Sequence, residues 1–327
     1  RCVYETDEEY MADKVILASG SQPARLPIEG ADRCMTSDDL LKSESMPGSM
    51  VIIGGGVIGM EFACIANAFG VNVTVVEYCK EILPGFDSDV AKRLRMAMKR
   101  QGVNFVCQAA VVKVDAAGEV WYEQKGKLKS ITGECVLMAT GRKAVVPEGL
   151  AGLGLEFTPK GFVAVDEHMR TNLPGLYAVG DVNGLQMLAH VASAQGRVAL
   201  GHRCNLAVVP AAVFTTPECA MAGVTEDNAV ASGLDYVTGE AIYRSNGKAM
   251  AMGEPDGLVK IVAERKSRRI AGCHICGAHA SDMIHEIVAA MNAAMTVDDL
   301  CAAIHGHPTL GELVVAAAEN ARRKLRN

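Results

Sequence analysis

Met50-Val51-Ile52-Ile53-Gly54-Gly55-Gly56-Val57-Ile58-Gly59 is the stretch on which the fold of this chain turns. Its first four residues form a continuous apolar run, the mark of a strand buried on both faces of a parallel sheet. Gly54-x-Gly56-x-x-Gly59 follows, then a helix-like stretch, Met60–Phe69, closed by Gly70 as a C-cap. Val71–Val76 reads as the next strand, and Glu77 stands at its end, 18 residues beyond Gly59. A glycine triplet alone is weak evidence, but between a strand and a helix and ahead of an acid it is a dinucleotide fingerprint. The first glycine makes the turn and the second leaves room for a pyrophosphate on the helix N-terminus. The third permits close helix–strand packing. Glu77 can accept hydrogen bonds from both ribose hydroxyls and would repel a 2′-phosphate, so NAD is favoured over NADP.

Outward from this unit, a helix is expected over Asp87–Gln101 and strands over Val103–Val114, Glu119–Gln124 and Glu134–Thr140. Three strands end in small residues and glycine: Ala18-Ser19-Gly20-Ser21, Ala139-Thr140-Gly141-Arg142 and Ala178-Val179-Gly180-Asp181. Such ends let a ligand approach the carboxyl edge of an α/β sheet, and three of them imply more than one cofactor crevice. From about Ala211 the pattern changes. Strands at Ala212–Thr215, Tyr236–Tyr243, Leu258–Glu264 and Arg269–Cys276 precede helices at Ala280–Ala293, Thr296–Ala303 and Thr309–Arg326, an α+β arrangement. Ala290–Ala294 and Val314–Ala318 are small and apolar, suited to close helix packing or to a subunit interface.

Composition narrows the function classes. The 327 residues are 50% apolar and 21% charged, as in a globular protein of two or three domains. The formal charge of −6 does not suit nucleic acid or an anionic membrane. No apolar run approaches the ~18 residues of a membrane span, and no signal peptide is visible. Eleven scattered cysteines in mostly apolar surroundings read as reduced thiols in a cytoplasmic protein. Cys273 and Cys276 form a C-x-x-C inside a strand-like run, where residues three apart point to opposite faces and cannot share a metal.

Near the C-terminus stands His305-Gly306-His307-Pro308-Thr309-Leu310-Gly311-Glu312. A histidine with a glutamate five places on makes a candidate base and its orienter, the arrangement that takes a proton from a nucleophile. Thr309-x-x-Glu312 also reads as a capping box ahead of an apolar helix. Both roles need Glu312 near the helix start.

Taken in order, these pieces resemble the pyridine nucleotide–disulfide oxidoreductases, and within them the dihydrolipoyl dehydrogenase branch. Ala18–Ser21 and Ala139–Arg142 resemble the family's two A-T-G turns. Thr171-x5-Tyr177-Ala178-Val179-Gly180-Asp181 resembles its second FAD motif, and Met187-Leu188-Ala189-His190 its segment beside the isoalloxazine. Pro217-Glu218-x4-Gly223 resembles the start of its dimer-forming domain, and His305–Glu312 its H-x-H-P-T-x-x-E signature. The resemblance implies an α/β chain with a Rossmann-type NAD domain, part of a FAD-binding domain and a C-terminal α+β dimerisation domain. The expected boundaries are 1–22 and 145–209 for the FAD-binding parts, 23–144 for the NAD-binding domain and 210–327 for the interface domain.

It implies FAD contacts from Ser19, Gly20, Ser21, Asp181, Met187, Leu188, Ala189 and His190. NAD contacts are implied for Gly54, Gly55, Gly56, Val57, Ile58, Gly59, Met60, Glu61, Glu77, Val111 and Gly141, with Glu61 close to the nicotinamide. His307 would be the proton acceptor and Glu312 its partner, serving the other subunit of a homodimer. The implied reaction oxidises dihydrolipoyl groups of 2-oxo acid dehydrogenase or glycine cleavage complexes through a disulfide and FAD, with hydride passing to NAD. The alternatives are a related FAD disulfide reductase with another substrate, or a non-catalytic nucleotide-binding, dimerising module.

Several positions depart from the family. Ser19 replaces a threonine, and Lys143-Ala144-Val145-Val146 stands where a Pro-Asn pair is common. Val191 and Gln195 replace a lysine and a glutamate. The family opens with a further G-x-G-x-x-G and a redox-active C-x-x-x-x-C. This chain begins at Arg1, has no earlier G-x-G-x-x-G and has no two cysteines five apart. The expectation is an N-terminally truncated chain, inactive alone.

Overall fold

The apolar run that opens the fingerprint is the strand Ser49–Ile53, central in a four-stranded parallel sheet with Cys135–Met138 on one side and Asn72–Val76, then Asn104–Val106, on the other. The computed structural model describes residues 2–3 and 9–326. Residues 1, 4–8 and 327, which fall within the expected FAD-binding and interface segments, lie outside the described residues. Alternate residues of Ser49–Ile53 face different layers, as strand geometry requires. Met50 and Ile52 pack with the helices Val57–Ala68 and Ser88–Arg100, while Val51 and Ile53 pack against the strands Ala110–Val114 and Glu119–Gln124. That second layer is an antiparallel sheet completed by Lys127–Thr132, a strand the sequence reading missed. It is exposed along nearly its whole length and so carries no apolar alternation. Its turn is Lys125-Gly126, both at positive φ, the two-residue hairpin geometry that favours glycine.

The C-terminal segment forms a five-stranded antiparallel sheet in the order Pro210–Val213, Cys219–Gly223, Ile270–Cys276, Leu258–Glu264, Tyr236–Ile242. The helices Ala280–Asn292, Val297–Ala302 and Glu312–Leu325 share its core. The last helix lies so close to the sheet that a Cβ on Gly239 would stand 2.1 Å from the Ala317 carbonyl oxygen. The small run Val314–Ala318 therefore serves helix–sheet packing. Cys273 belongs to this core and Cys276 to the core under the parallel sheet, so the C-x-x-C thiols do point to opposite faces.

The parallel-sheet segment and this C-terminal segment form one compact unit, Arg25–Thr140 with Ala207–Asn327. They correspond to the expected segments 23–144 and 210–327. They cluster together because they share a core and an ion cluster. Val213, Cys219 and Cys276 pack among the residues of the parallel sheet. Lys260, fully buried, reaches Asp87 at 3.2 Å, Asp89 at 2.7 Å and Glu226. Asp87 also caps the Ser88–Arg100 helix, accepting from the Asp89 N–H at 3.1 Å.

The second unit runs to Ala24 and resumes over Gly141–Leu206. Val15–Leu17 pairs in parallel with Leu176–Ala178, and Ser21–Pro23 antiparallel with Arg142–Ala144. The helix Ala189–Ala199 follows a short 3-10 turn at Gly180–Asn183. Among the described residues, no helix is long and apolar enough to cross a membrane.

Candidate active-site elements

The three glycines of the fingerprint do three different steric jobs. Gly54 has φ 106°, and a Cβ there would lie 2.5 Å from the Ala139 carbonyl oxygen. A Cβ on Gly59 would lie 2.0 Å from the Gly54 carbonyl oxygen, so this glycine lets the helix press against the turn. A Cβ on Gly56 would meet nothing within 4 Å. Gly56 is the N-cap of the Val57–Ala68 helix, whose first N–H groups, Val57 to Gly59 among them, have no intrahelical acceptor. Open space in front of donor groups at a positive dipole end suits a pyrophosphate. Met60 is buried beneath the turn and contributes packing.

Glu77 stands at the end of its strand, as its spacing implied, and its carboxylate is folded onto the glycine turn. Oε2 accepts from the Gly55 N–H at 2.5 Å and Oε1 from the Cys79 N–H at 2.6 Å, with the residue only 6% exposed. Gly55, expected among the NAD contacts, also meets the acid. A Cβ there would stand 3.1 Å from Glu77 Oε2, so this glycine leaves room for the acid. Each carboxylate oxygen keeps a second lone pair for a ribose hydroxyl. A surface depression of about 470 Å³, lined by Tyr78, Cys79, Lys80, Gln108, Ala110, Glu123, Lys125 and Gly126, lies at residues that neighbour Glu77 and Val111 in sequence. Glu61, on the same helix, accepts from the Phe214 N–H at 3.0 Å. It is half-buried, and burial pushes its carboxyl above the usual range.

In the other unit, Gly141 and Gly20 both take positive φ. The Ser19 hydroxyl donates to the Val145 carbonyl at 2.5 Å, and Ser21 donates to Asp181 Oδ2 at 2.6 Å. Arg142 clasps Ser21, Nε to Oγ at 2.7 Å and Nη2 to the carbonyl at 2.8 Å. The sequence reading left Arg142 without a role. The Arg-Lys-Ala strand that pairs with Ser21–Pro23 puts its guanidinium beside the Ser21–Asp181 contact. The contacts around the departing positions are now defined. Val145 holds Ser19 through its backbone, and Val191 is buried. Gln195, also buried, accepts through one amide oxygen from the Gly180 N–H at 2.7 Å and from Asn183 Nδ2 at 2.9 Å. Gln195 therefore fixes the turn that carries Asp181. Met187, Leu188, Ala189 and His190 form the start of the Ala189–Ala199 helix, Leu188 half-buried and the others exposed. An amphiphilic, uncovered helix start beside a ribitol-suited carboxylate fits a flavin.

The C-terminal loop brings His307 and Glu312 together. His307 Nδ1 lies 2.9 Å from Glu312 Oε1, and Glu312 Oε2 accepts from the Thr309 N–H at 2.9 Å. One Glu312 oxygen thus meets the ring and the other the backbone. Thr309 is not the helix cap, however. The helix begins at Glu312, three residues later than expected, and the Thr309 hydroxyl donates to the Gly306 carbonyl at 2.7 Å. The Thr309 N–H and the His307 ring hold the Glu312 carboxyl below its usual range. His307 is 78% exposed on its side chain, open to a reacting molecule.

Comparison with known proteins bears on these elements together. A family model described as pyridine nucleotide-disulphide oxidoreductase matches residues 2–196, and the dimerisation domain of the same family matches residues 209–318. Dihydrolipoyl dehydrogenase of Geobacillus stearothermophilus is 36% identical over 326 residues, covering 96% of this chain and 69% of that protein. A dihydrolipoyl dehydrogenase of Bacillus subtilis is 37% identical, with the same coverage of 96% and 69%. Among solved structures, LpdA from Mycobacterium tuberculosis superposes with a TM-score of 0.82 at 31% identity, over 94% of this chain and 69% of that one. The flavoprotein disulfide reductase RclA from Escherichia coli does so with a TM-score of 0.85 at 26% identity, over 96% and 75%. Fingerprint turn, five-stranded C-terminal sheet and His–Glu pair follow one another in the order these matches require, and the chain belongs to the pyridine nucleotide-disulphide oxidoreductase family.

Proposed function

We propose that this chain carries the NAD-binding and proton-accepting parts of a dihydrolipoyl dehydrogenase. The observation that carries the reading is the His307–Glu312 pair at 2.9 Å on an exposed loop. With Nδ1–H donating to the Glu312 carboxylate, the lone pair of His307 sits on Nε2 and can take a proton from a dihydrolipoyl thiol. The thiolate so formed is the effective nucleophile. The imidazolium then lies against a carboxylate that its neighbours keep ionised. FAD and NAD are the cofactors of the family. When bound, they carry the electron pair released as two thiols become a disulfide, ending as hydride on the nicotinamide. Ser19, Gly20, Ser21, Asp181 and Met187–His190 would hold FAD. Gly54–Glu61, Glu77, Val111 and Gly141 would hold NAD, with Glu77 selecting the unphosphorylated ribose.

The dimerisation-domain match supports a homodimer; in a protein that also carries the redox disulfide, the partner subunit would present that disulfide to His307. Lipoyl-bearing 2-oxo acid dehydrogenase or glycine cleavage complexes are the proposed partners, in the cytoplasm. The domain reading keeps two FAD-binding parts around an NAD-binding part, followed by an interface domain, with the last two fused by Lys260. These 327 residues contain no C-x-x-x-x-C, so the chain by itself should bind nucleotide without turning over dihydrolipoamide. Titration with NADH and NADPH, followed by a turnover assay, tests the reading. NADH should bind more tightly; tighter NADPH binding would overturn the role of Glu77, and turnover would overturn the expected inactivity.

A further inference from the structure

The loop that carries His307 holds a second histidine whose two ring nitrogens are both occupied by acceptors. His305 Nε2 lies 2.7 Å from Glu286 Oε1, on the Ala280–Asn292 helix, and Nδ1 lies 3.2 Å from the Ala303 carbonyl oxygen. A carbonyl oxygen cannot donate. Glu286 is 36% exposed on its side chain, so water supports its charge and it too only accepts. A neutral imidazole has one N–H. Two accepting partners on opposite ring nitrogens are satisfied together only when both nitrogens are protonated. The ring is itself only 15% exposed, so water is a poor substitute for either partner.

We propose that His305 is a standing imidazolium, a positioning residue that ties the His307 loop to the Ala280–Asn292 helix and supplies a fixed positive charge beside Glu312. The two histidines of the H-G-H run then divide the work. One is saturated on both nitrogens and cannot exchange protons in the reaction. The other has one nitrogen held by Glu312 and one open.

The charges that face His305 are Glu286 from one helix and Glu312 from the other. His305 also packs against the start of the Glu312–Leu325 helix: a Cβ on Gly311 would lie 3.4 Å from its Cδ2. A cation at a helix N-terminus is disfavoured by the dipole, and the two carboxylates offset this. Burial works against the His305 charge, and the bonds to Glu286 and Ala303 outweigh it, so the imidazole holds its proton above the ordinary imidazole range. The charge of His305 in turn helps keep Glu312 ionised, behind the larger effects of Thr309 and His307. Because the folded-state value is raised, the tether stabilises the loop fully below the ordinary imidazole pKa. That stabilisation is lost as pH rises through the raised value.

This inference rests on the reading of His307 and Glu312 as the acid–base pair, but its test needs no turnover. In the 327-residue chain, ring nitrogen-15 and proton NMR should show two N–H protons on His305 at neutral pH. A ring with one bare nitrogen would overturn the proposal. His305→Gln should raise the titration midpoint of the Glu312 carboxyl, and His305→Arg, which keeps a cation within reach of Glu286, should restore it. An unmoved Glu312 in His305→Gln, or failure of the arginine variant to restore it, would show that His305 acts by shape alone. Failure of the His307 reading would appear separately, as retained dihydrolipoamide oxidation in a His307 variant of a redox-complete protein.

Discussion

Lys260 and His307 each offer nitrogen to carboxylate, and the difference between them is water. Lys260 and Asp87 are both at zero side-chain exposure, while His307 stands at 78% and Glu312 at 33%. In the buried cluster the carboxylates Asp89, Glu226 and Asp87 overcome the burial that disfavours the ammonium and hold its proton firmly. A group held so firmly does no acid–base work. It seals the parallel sheet to the five-stranded sheet. The exposed pair has weaker mutual attraction but an open nitrogen, which is what the proposed proton acceptor needs. Burial thus separates a structural ion cluster from the one proposed to react.

The most direct way to break this contrast is Lys260→Met. Removing the ammonium leaves Asp87 charged and fully buried, a change that costs about 3–5 kcal/mol when one partner of a buried pair is lost. Denaturant unfolding should show that loss. Stability near that of the parent would mean that the seam is held by the apolar contacts of Val213, Cys219 and Cys276, and that the cluster is incidental.

The fingerprint turn sharpens the same contrast without charge. Gly59→Ala places a Cβ 2.0 Å from the Gly54 carbonyl and should cost about 1–3 kcal/mol as helix and turn separate. Gly56→Ala meets nothing within 4 Å and should leave unfolding within about 0.5 kcal/mol of the parent. Its methyl would nevertheless occupy the space proposed for the pyrophosphate, so NADH binding should weaken. Titration beside a thermal melt distinguishes them. If Gly56→Ala binds NADH as the parent does, the pyrophosphate does not approach the backbone there.

How much of this was legible beforehand follows from the range of the forces involved. The glycine turn was readable because its constraints are steric and local, each satisfied within one βαβ unit. The strand Lys127–Thr132 was not, because a strand wetted along its length shows no apolar alternation. The contact between the parallel sheet and the C-terminal sheet was hidden for another reason. Lys260 and Asp87 are 173 residues apart, and nothing in either local run names the other. Gln195 looked like a loss relative to the family, yet its amide oxygen meets two donors at the Gly180 turn. Spacing placed Glu312 at the helix start and left two roles open. Only coordinates could show that one carboxylate oxygen meets the His307 ring and the other the Thr309 N–H.

The smallest expected effect on stability falls at the residue with the largest proposed effect on chemistry. His307→Ala removes an exposed ring whose described partner is one oxygen of Glu312, and the other oxygen keeps the Thr309 N–H. The loop retains the His305–Glu286 contact and the bond from Asn246 Nδ2 to the Thr309 carbonyl at 3.0 Å. The melting temperature should therefore stay with the parent, and so should NADH affinity, because His307 lies outside the fingerprint turn. In a protein that also carries the redox disulfide, dihydrolipoamide oxidation should fall by roughly 10²–10⁴-fold, the usual contribution of a positioned base. A variant that loses stability or NADH binding in step with turnover would place His307 with Lys260, among the groups that hold the molecule together.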